Sequence, residues 1–344
     1  MRKALLICGI VVSASCAPLP PIAFLPNADL APPVVVGLRF RGADELEIGF
    51  DEEVSWITGP ESPDSVAVEG VAVEHSEDDP IARSFAVVRF STPPSPAAEH
   101  YVEAQVADVA GNHLRFVARF YGLNPLMPAM LINEFTTQGS GRNPDLVELR
   151  ILTDGNLAGA TLFEGVPGDW DTRFIFPSLD VVAGDYVVVH FRPQGIDEEI
   201  DERSSPEVSG GYNATPTGWD FWVRGGTGLS GNNGVIALTE NPLGGYIDAV
   251  LYSNRTSDSD ERYRGFGSAK TMERADELAA AGAWEYEGPA VAPEDAINPD
   301  PSTGTRSMAR GSGGHDANRA SDWHITPTRG LSPGAVNTDE VHVP

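Results

Sequence analysis

Short apolar runs separated by turn-forming residues fill residues 34–122 and constrain the fold more than any other feature. The runs are Val34–Phe40, Leu46–Phe50, Ser65–Val73, Phe85–Phe90, Tyr101–Val106 and Leu114–Tyr121. None of them shows the 3.6-residue period of an amphipathic helix. Within the second run, Leu46, Ile48 and Phe50 recur at every second position, which places three apolar side chains on one face. The pattern predicts an antiparallel β-sandwich over residues 34–122.

Two short motifs add detail to this first region. Phe50-Asp51-Glu52-Glu53-Val54 follows a predicted strand, and Asp108-Val109-Ala110-Gly111-Asn112 precedes the last one. Gly111 and Asn112 tolerate positive φ, and the side chain of Asp108 can cap the turn. Both motifs resemble those of bacterial Ig-like domains of the S-layer type. The resemblance implies an Ig-like domain over residues 34–122.

A second group of motifs spans residues 129–338. The motifs are Met130–Glu134 (MLINE), Pro144–Leu149 (PDLVEL), Ala183–Val189 (AGDYVVV), Ala320–Trp323 (ASDW) and Ser332–Asn337 (SPGAVN). Their order and spacing resemble the lamin-tail domain, an Ig-like β-sandwich. Arg150 and Ile151 replace the polar pair that usually follows the Val-Glu-Leu strand in that family. The resemblance implies a lamin-tail-like sandwich over residues 129–338, joined to the first domain by a linker at 123–128.

The second region is longer than one β-sandwich requires. The excess lies in two insertions, 193–232 and 254–318, and the run Trp219–Trp222 in the first insertion is a predicted strand. The second insertion contains a predicted helix at about 268–283. Its apolar stripe is formed by Met272, Ala275, Leu278 and Ala279.

The segment after the predicted helix, Gly288–Gly314, is rich in Pro, Gly, Ser and acidic residues. That composition predicts a loop or a partly disordered segment. The chain as a whole is therefore predicted to be all-β, with two Ig-like β-sandwich domains in tandem. The second domain has large insertions and one helix, at about 268–283.

The N-terminus has the composition of an export signal. Arg2 and Lys3 precede an apolar run, Ala4–Val12, which is too short to cross a bilayer, and small residues and Cys16 follow. This arrangement resembles a bacterial lipoprotein signal, which implies cleavage before Cys16 and lipidation of its thiol. Ser13 stands where such signals usually carry an aliphatic residue, so ordinary secretion remains the alternative.

These features predict a signal peptide at 1–15 and a proline-rich tether at 16–33. Proline favours extended backbone, so the tether would hold a folded part away from a membrane. Cys8 and Cys16 are the two cysteines of the chain, so no disulfide can form within the mature fold. We therefore expect an exported, membrane-anchored lipoprotein at the outer membrane or cell surface, or alternatively a secreted protein.

The formal net charge is −27, with 50 acidic residues. Because phosphate binding needs a basic face, this charge argues against a nucleic acid partner. The expected partners are a membrane, through the N-terminal lipid, and a protein or carbohydrate ligand.

Several patterns that could indicate a cofactor or a metal do not have the required context. Gly226–Gly231 matches G-x-G-x-x-G, but a predicted strand follows it where a dinucleotide site needs a helix, so we interpret it as a hairpin turn. Asp258–Glu261 begins like an EF-hand loop, and Arg262 and Tyr263 then break the pattern. The seven histidines show no metal spacing. We therefore expect no cofactor, no metal site and no catalytic residues.

Two acidic clusters leave a structural calcium ion open. They are Asp197–Glu202 and the pair Asp51 and Glu52, and in each case a solvated charge run is the favoured interpretation. Glu134 and Glu148 could form a paired-carboxylate site. The lamin-tail resemblance instead implies fold-defining positions, where each carboxylate accepts backbone or hydroxyl donors at the sheet edge.

Trp219, Trp222 and Trp284 lie in or beside the insertions and form a candidate ligand surface. They could equally fill the core beneath the insertions. The sequence as a whole predicts a non-enzymatic cell-envelope lipoprotein acting in adhesion, scaffolding or ligand binding. The alternative is a secreted hydrolase, nuclease-like or phosphatase-like, with a site built in the insertions.

Overall fold

The structure is a computed structural model that describes residues 29–61, 68–75 and 82–344. The predicted signal peptide, the lipidation site Cys16 and most of the tether lie outside the described residues. The described part is built from β-strands and a single α-helix, which confirms the all-β prediction. Among the helices of the described residues, none is long and apolar enough to span a bilayer.

Residues 35–121 form two antiparallel sheets. The strands are β1 (Val35–Gly42), β2 (Glu45–Phe50), β3 (Val54–Glu61), β4 (Val68–His75), β5 (Ser84–Phe90), β6 (Glu99–Asp108) and β7 (His113–Tyr121). One sheet has the order β1-β2-β5-β4 and the other β3-β6-β7. Strand β3 was not predicted, because Gly59-Pro60 near its end reads as a turn.

The alternation within β2 is confirmed by the packing. Leu46, Ile48 and Phe50 are at most 1% exposed and belong to one hydrophobic cluster between the two sheets. Asp108 caps the turn between β6 and β7, where its carboxylate accepts hydrogen bonds from the main-chain and side-chain nitrogens of Asn112, both at 2.7 Å. Gly111 in this turn has a φ of 90°, a conformation that favours glycine.

Residues 130–325 contain twelve further strands. They are β8 (Met130–Phe135), β9 (Leu146–Ile151), β10 (Gly155–Asn156), β11 (Thr161–Val166), β12 (Asp169–Ile175), β13 (Asp180–Val181), β14 (Tyr186–His190), β15 (Trp219–Trp222), β16 (Asn233–Asn241), β17 (Gly244–Ser253), β18 (Met308–Arg310) and β19 (Trp323–Ile325). A six-stranded sheet has the order β15-β14-β9-β8-β18-β19, and a four-stranded sheet has the order β12-β11-β16-β17. Strands β10 and β13 form a separate pair.

A second hydrophobic cluster joins these two larger sheets. Val187 and Val189 of β14 point into it, together with Ile236 and Leu238 of β16. Because side chains alternate along a strand, the neighbours Val188 and His190 lie on the opposite, outer face of the six-stranded sheet. That outer face is also buried, and residues 193–218 and 326–337 lie over it through the hydrogen bonds described below.

The predicted helix is confirmed as α1 (Ala269–Ala280), and the side chain of Ser268 caps it by accepting a hydrogen bond from the amide of Thr271 at 3.1 Å. Ala275 and Leu278 are fully buried on its inner face. Three single-turn 3-10 helices, Ser257–Ser259, Pro293–Asp295 and Ala320–Asp322, complete the list of helical segments among the described residues.

The prediction of a loop over Gly288–Gly314 is wrong in part. Strand β18 lies inside this segment and pairs with β8 and β19 in the six-stranded sheet. Met308 and Ala309 are fully buried. Met308, Ala309 and Arg310 lie between a serine and a glycine and are too few to show a strand pattern. Their burial therefore depends on partners far away in the sequence.

Candidate functional site

Three acidic side chains lie in one row on the outer face of the six-stranded sheet. Glu134 of β8 pairs with Glu148 of β9, Glu148 pairs with Val188 of β14, and Val188 pairs with Asp220 of β15. All four residues are fully buried. The strand alternation therefore brings three carboxyl groups onto one covered face.

Glu134 and Glu148 accept hydrogen bonds from the C-terminal segment. Glu134 accepts from the hydroxyl of Ser307 and from the amide of Ser332 at 3.0 Å. Glu148 accepts from the side-chain amide of Asn133 at 2.7 Å and from the main-chain amide of Gly334 at 2.6 Å. The donors are hydroxyls and amides, as predicted for fold-defining carboxylates.

The predicted position of this pair at a sheet edge is wrong. Strands β8 and β9 are the two central strands of the six-stranded sheet. The short strand β18, hidden in a segment with loop composition, extends the sheet on one side, and β14 and β15 extend it on the other. The two carboxylates therefore sit in its middle, where water is excluded.

Burial dominates the ionisation of this pair. It raises the pKa of Glu134 to about 7, although the hydrogen bonds from Ser307 and Ser332 oppose the shift. It also raises the pKa of Glu148 well above the ordinary value, and the neighbouring charge of Glu134 adds to the effect. Two adjacent buried carboxyls resist simultaneous ionisation, so at least one of them holds a proton near neutral pH.

His190, two residues along β14 from Val188, lies on the same face beside Asp220. The Nε2 atom of His190 lies 2.7 Å from Oδ1 of Asp220, and the imidazole stacks on the indole of Trp222 with ring centroids 3.9 Å apart. The other carboxylate oxygen of Asp220 accepts from the amide of Thr215 at 2.8 Å. The amide of Asp220 in turn donates to Glu202 at 2.8 Å. This network ties the insertion 193–232 to the sheet.

The chemistry of this face follows from its burial. Glu134, Glu148, His190 and Asp220 are each 0% exposed. The carboxylates converge as the hydrolase alternative requires, but they converge in packed interior, where their donors are main-chain and side-chain groups of the covering segments. A substrate could reach them only if residues 193–218 or 332–337 moved away. The arrangement fastens those segments to the sheet.

The structure corrects the candidate ligand surface formed by tryptophans. Trp222 and Trp284 are each 1% exposed, and the indole of Trp284 donates to the carbonyl of Asp295 at 3.0 Å. Both side chains therefore fill the core beneath the insertions, and neither is available to a ligand. Trp219 is half-buried and donates to Asp185 at 3.3 Å. Trp170, 40% exposed on β12, is the more accessible indole.

The acidic cluster Asp197–Glu202 is only partly a solvated charge run. Glu199 and Glu202 are at most 1% exposed. Glu199 accepts from the amides of Gln194 and Gly195, and Glu202 accepts from the amides of Val208 and Ser209. These two carboxylates thus organise the insertion by binding its main chain.

The second acidic cluster is larger than the sequence suggested. Asp29, Glu52 and Asp108 each bring one carboxylate oxygen to within 4.8 Å of the others. Burial raises the pKa of Glu52, and the charges of Asp108, Asp29 and Asp51 add to the rise. Distant chain positions meet here, so no local sequence motif could have indicated the group.

The glycine pattern Gly226–Gly231 connects two different sheets. It follows β15 of the six-stranded sheet and precedes β16 of the four-stranded sheet, so the predicted hairpin turn is wrong. Strand β16 follows the glycines where a dinucleotide site needs a helix. The amide of Leu229 donates to Asp145 at 3.0 Å, which anchors this connection at the end of the sheet.

An accessible groove lies where residues 35–121 meet residues 122–253. Its volume is about 510 Å³, and it is bounded by edge strands β1 and β7, the linker and the turn between β16 and β17. Its lining includes Leu38, Phe40, Arg119, Leu123 and Leu243. We call this feature the β1/β7 groove. No sequence motif pointed to it, because its walls come from four separate parts of the chain.

Comparisons with known proteins match the second part of the chain. The family model TP_1001_2nd, described as a protein second domain, matches residues 128–325. A protein of Treponema pallidum (strain Nichols), described as uncharacterized, is 29% identical over 213 residues. The matched region covers 62% of this chain and 52% of that protein, so the chain spans about half the length of this curated relative. No solved structure matches the chain.

Proposed function

The chain belongs to the TP_1001_2nd family, and on this premise we propose that it is a non-enzymatic lipoprotein of the cell envelope that acts by binding. Its role is adhesion, scaffolding or ligand capture at the outer membrane or cell surface. Anchoring is through a lipid on Cys16, and the proline-rich tether at 16–33 holds the folded part away from the membrane. The partner is a protein or a carbohydrate.

The burial and the hydrogen bonding of the carboxylates support this proposal. The chemically reactive side chains that the sheet brings together are fully buried and bound to the segments that cover them. The surface of the described residues, by contrast, includes an accessible groove with an apolar floor. The buried acids bind the covering segments, and the accessible surface includes a groove. This arrangement suits binding better than catalysis.

The fold assignment extends the proposal. We propose that residues 34–122 form an S-layer-type Ig-like domain and that residues 129–338 form an enlarged lamin-tail-like sandwich. Two separate hydrophobic clusters support two domains, since one contains only residues 46–120 and the other only residues 130–323. The buried Glu134 and Glu148 support the resemblance from which their structural role was predicted.

Arrays of glycans and extracellular proteins probed with the full-length protein test this function. The proposal expects specific binding to one class of spot. In parallel, hydrolysis of generic phosphodiester and phosphomonoester substrates is measured, with Glu134→Gln as a matched variant. Turnover that Glu134→Gln abolishes would contradict the proposal, and arrays that stay silent for both classes would leave only the scaffold role.

A further inference from the structure

We propose that the β1/β7 groove binds an extended, acidic peptide segment of a partner protein, which adds as a strand to the edge of β1 that no described strand occupies. This inference rests on the proposed binding function and names the surface and the chemistry of the partner. It is supported by the edge strands that bound the groove, the exposed apolar side chains inside it, the arginines that line it and the linker contacts that hold its walls.

Strands β1 and β7 are both at the edges of their sheets. In the described residues, β1 pairs with β2 on one side, and β7 pairs with β6 on one side. An edge strand presents main-chain amides and carbonyls that an added strand can bind. The groove therefore offers backbone hydrogen bonding to any extended chain that fits between its walls.

The interior of the sandwich is open along this edge. Leu38 pairs with Ile48, whose side chain is 0% exposed in the core, so Leu38 points toward the same side. Leu38 is nevertheless 40% exposed. Leu123 and Leu243 add exposed apolar surface at the far wall, 38% and 42% exposed. Every second side chain of an added strand would cover this surface, which predicts apolar residues at alternate positions.

Two of the three charged residues in the groove lining are arginines. Arg39 and Arg119 line it, and their side chains are 66% and 55% exposed. Arg39 contacts Glu47 and lies over an aromatic ring, 5.6 Å from its centroid, on the face of the sheet opposite to Leu38. Arg119 lies 3.6 Å from Glu99. On a chain with a net charge of −27, the two arginines favour carboxylates in the partner. Glu240 on the opposite wall places the acidic side of the partner toward the arginines.

The same charges disfavour a second copy of this chain as the occupant. An antiparallel pair of two β1 strands would bring Arg39 and Arg41 of both copies together at the shared edge. Like charges opposite each other across strands are destabilising. Both arginines share the carboxylate of Glu47 on β2, and Arg41 also donates to Glu74, whereas β1 itself carries no acid that could pair with the arginines of a second copy.

The walls of the groove are held in place by contacts of the linker. The side chain of Asn124 donates to the carbonyls of Asn156 and Ala158 at 2.7 and 2.9 Å. Gly159, with a φ of 87°, packs against the carbonyl of Pro96, where a Cβ would come within 2.5 Å. The linker and the two sandwiches therefore meet closely beside the groove, which presents a preformed surface to a peptide.

The test uses the full-length protein and a fluorescein-labelled peptide of five Val-Glu repeats, with binding measured by anisotropy. Because the protein is strongly acidic overall, non-specific attraction cannot produce binding of this peptide. Arg119→Ala should weaken binding about tenfold, the loss of one charge-assisted hydrogen bond. The matched control is Arg115→Ala, since Arg115 lies on the same strand, contacts Glu103 and is outside the groove lining.

Two further controls test the apolar floor and the backbone contacts. Leu38→Ser should weaken binding, while Val117→Ser, 60% exposed on β7 outside the groove lining, should not. A peptide of the same sequence with N-methylated valines should bind weakly, because it cannot donate those hydrogen bonds to a strand edge.

Several results would overturn the inference: absence of binding of the Val-Glu peptide, equal losses for Arg119→Ala and Arg115→Ala, or unchanged binding of the N-methylated peptide. A dimer in sedimentation that Leu38→Ser dissociates would assign the groove to a second copy. Failure here is distinct from failure of the proposed function. An array ligand whose binding ignores Arg119→Ala and Leu38→Ser would overturn the groove inference alone.

Discussion

Glu134 on β8 lies directly opposite Glu148 on β9, and both carboxyl groups are fully buried at the centre of the six-stranded sheet. Among the described residues, neither carboxylate accepts a hydrogen bond from a basic side chain. Their neighbours are amides and hydroxyls of the chain segments that cover the sheet. This pair therefore links the ionisation of the protein to the attachment of its C-terminal segment.

The pair predicts a loss of stability as the pH rises above neutral. Burial raises the pKa of Glu134 from 4.5 to about 7 and raises that of Glu148 well above its ordinary value, so both groups bind protons more tightly when folded. This contribution is fully present below the unfolded pKa and is lost as the pH rises through the folded values. The free energy of unfolding should fall by about 3 kcal/mol between about pH 5 and pH 9.

Urea denaturation across this pH range measures the effect, and Glu134→Gln is the matched variant. The neutral amide keeps the shape of the side chain, so the variant should show a flatter pH dependence. Equal slopes for the two proteins would contradict this assignment.

The attachment of the C-terminal segment should depend on Glu148. Its carboxylate accepts the amide of Gly334 at 2.6 Å, and Glu148→Ala would leave that buried donor without a partner at a cost of about 1–3 kcal/mol. Hydrogen exchange of residues 332–337 should therefore accelerate more than exchange in β2 and β5. Uniform acceleration over the whole chain would indicate global destabilisation instead.

A buried ion pair should contribute strongly to the stability of the second sandwich. Both oxygens of Asp248 lie 3.0 Å from the guanidinium of Arg310, and both side chains are 0% exposed. Burial raises the pKa of Asp248 to about 6 even beside this arginine. Arg310→Met should lower the free energy of unfolding by about 3–5 kcal/mol, because it leaves an uncompensated buried acid.

The double variant Arg310→Met, Asp248→Asn tests that reason, since it removes the charge of Asp248 and leaves Asp316 and Asp322, the other acids near Arg310, unchanged. It should recover part of the loss in urea denaturation. Additive losses from the two substitutions would show that charge pairing is not the cause.

The burial of Trp284 predicts a difference between two tryptophans. Trp284→Ala should lower the free energy of unfolding by about 3–5 kcal/mol, the usual cost of a large cavity. Trp170→Ala is the matched exposed control, in which the main loss is the contact with Arg173, whose guanidinium lies 4.7 Å from the ring centroid. Its cost should be about 1 kcal/mol. Thermal denaturation compares the two variants. Similar losses of stability would contradict the burial of Trp284 in the core.

Local patterns in the sequence sufficed for much of the scaffold. The alternation of Leu46, Ile48 and Phe50 and the stripe containing Ala275 and Leu278 report directly which face is buried, because each pattern has the period of its element. These periods follow from the backbone geometry of strands and helices, so they can be read without knowing the tertiary contacts. The all-β class and the helix followed from them.

The candidate site could be predicted only in part. Glu134 and Glu148 were recognised, but their central position depends on β18, whose pairing with β8 joins residues about 170 positions apart and leaves no local period. Asp220 was missed, although it stands between two apolar aromatic neighbours on a predicted strand, which is a usable signal for a polar outer face. The β1/β7 groove arises from the meeting of distant segments.

The mass of the N-terminal peptide of the mature protein tests the central claim of an envelope lipoprotein most directly. Protein isolated from the membrane fraction of its own host should yield a peptide that begins at Cys16 and carries acyl chains. The variant Cys16→Ser should release the protein from that fraction. A mature peptide with unmodified Cys16, or one that begins at another residue, would contradict the claim.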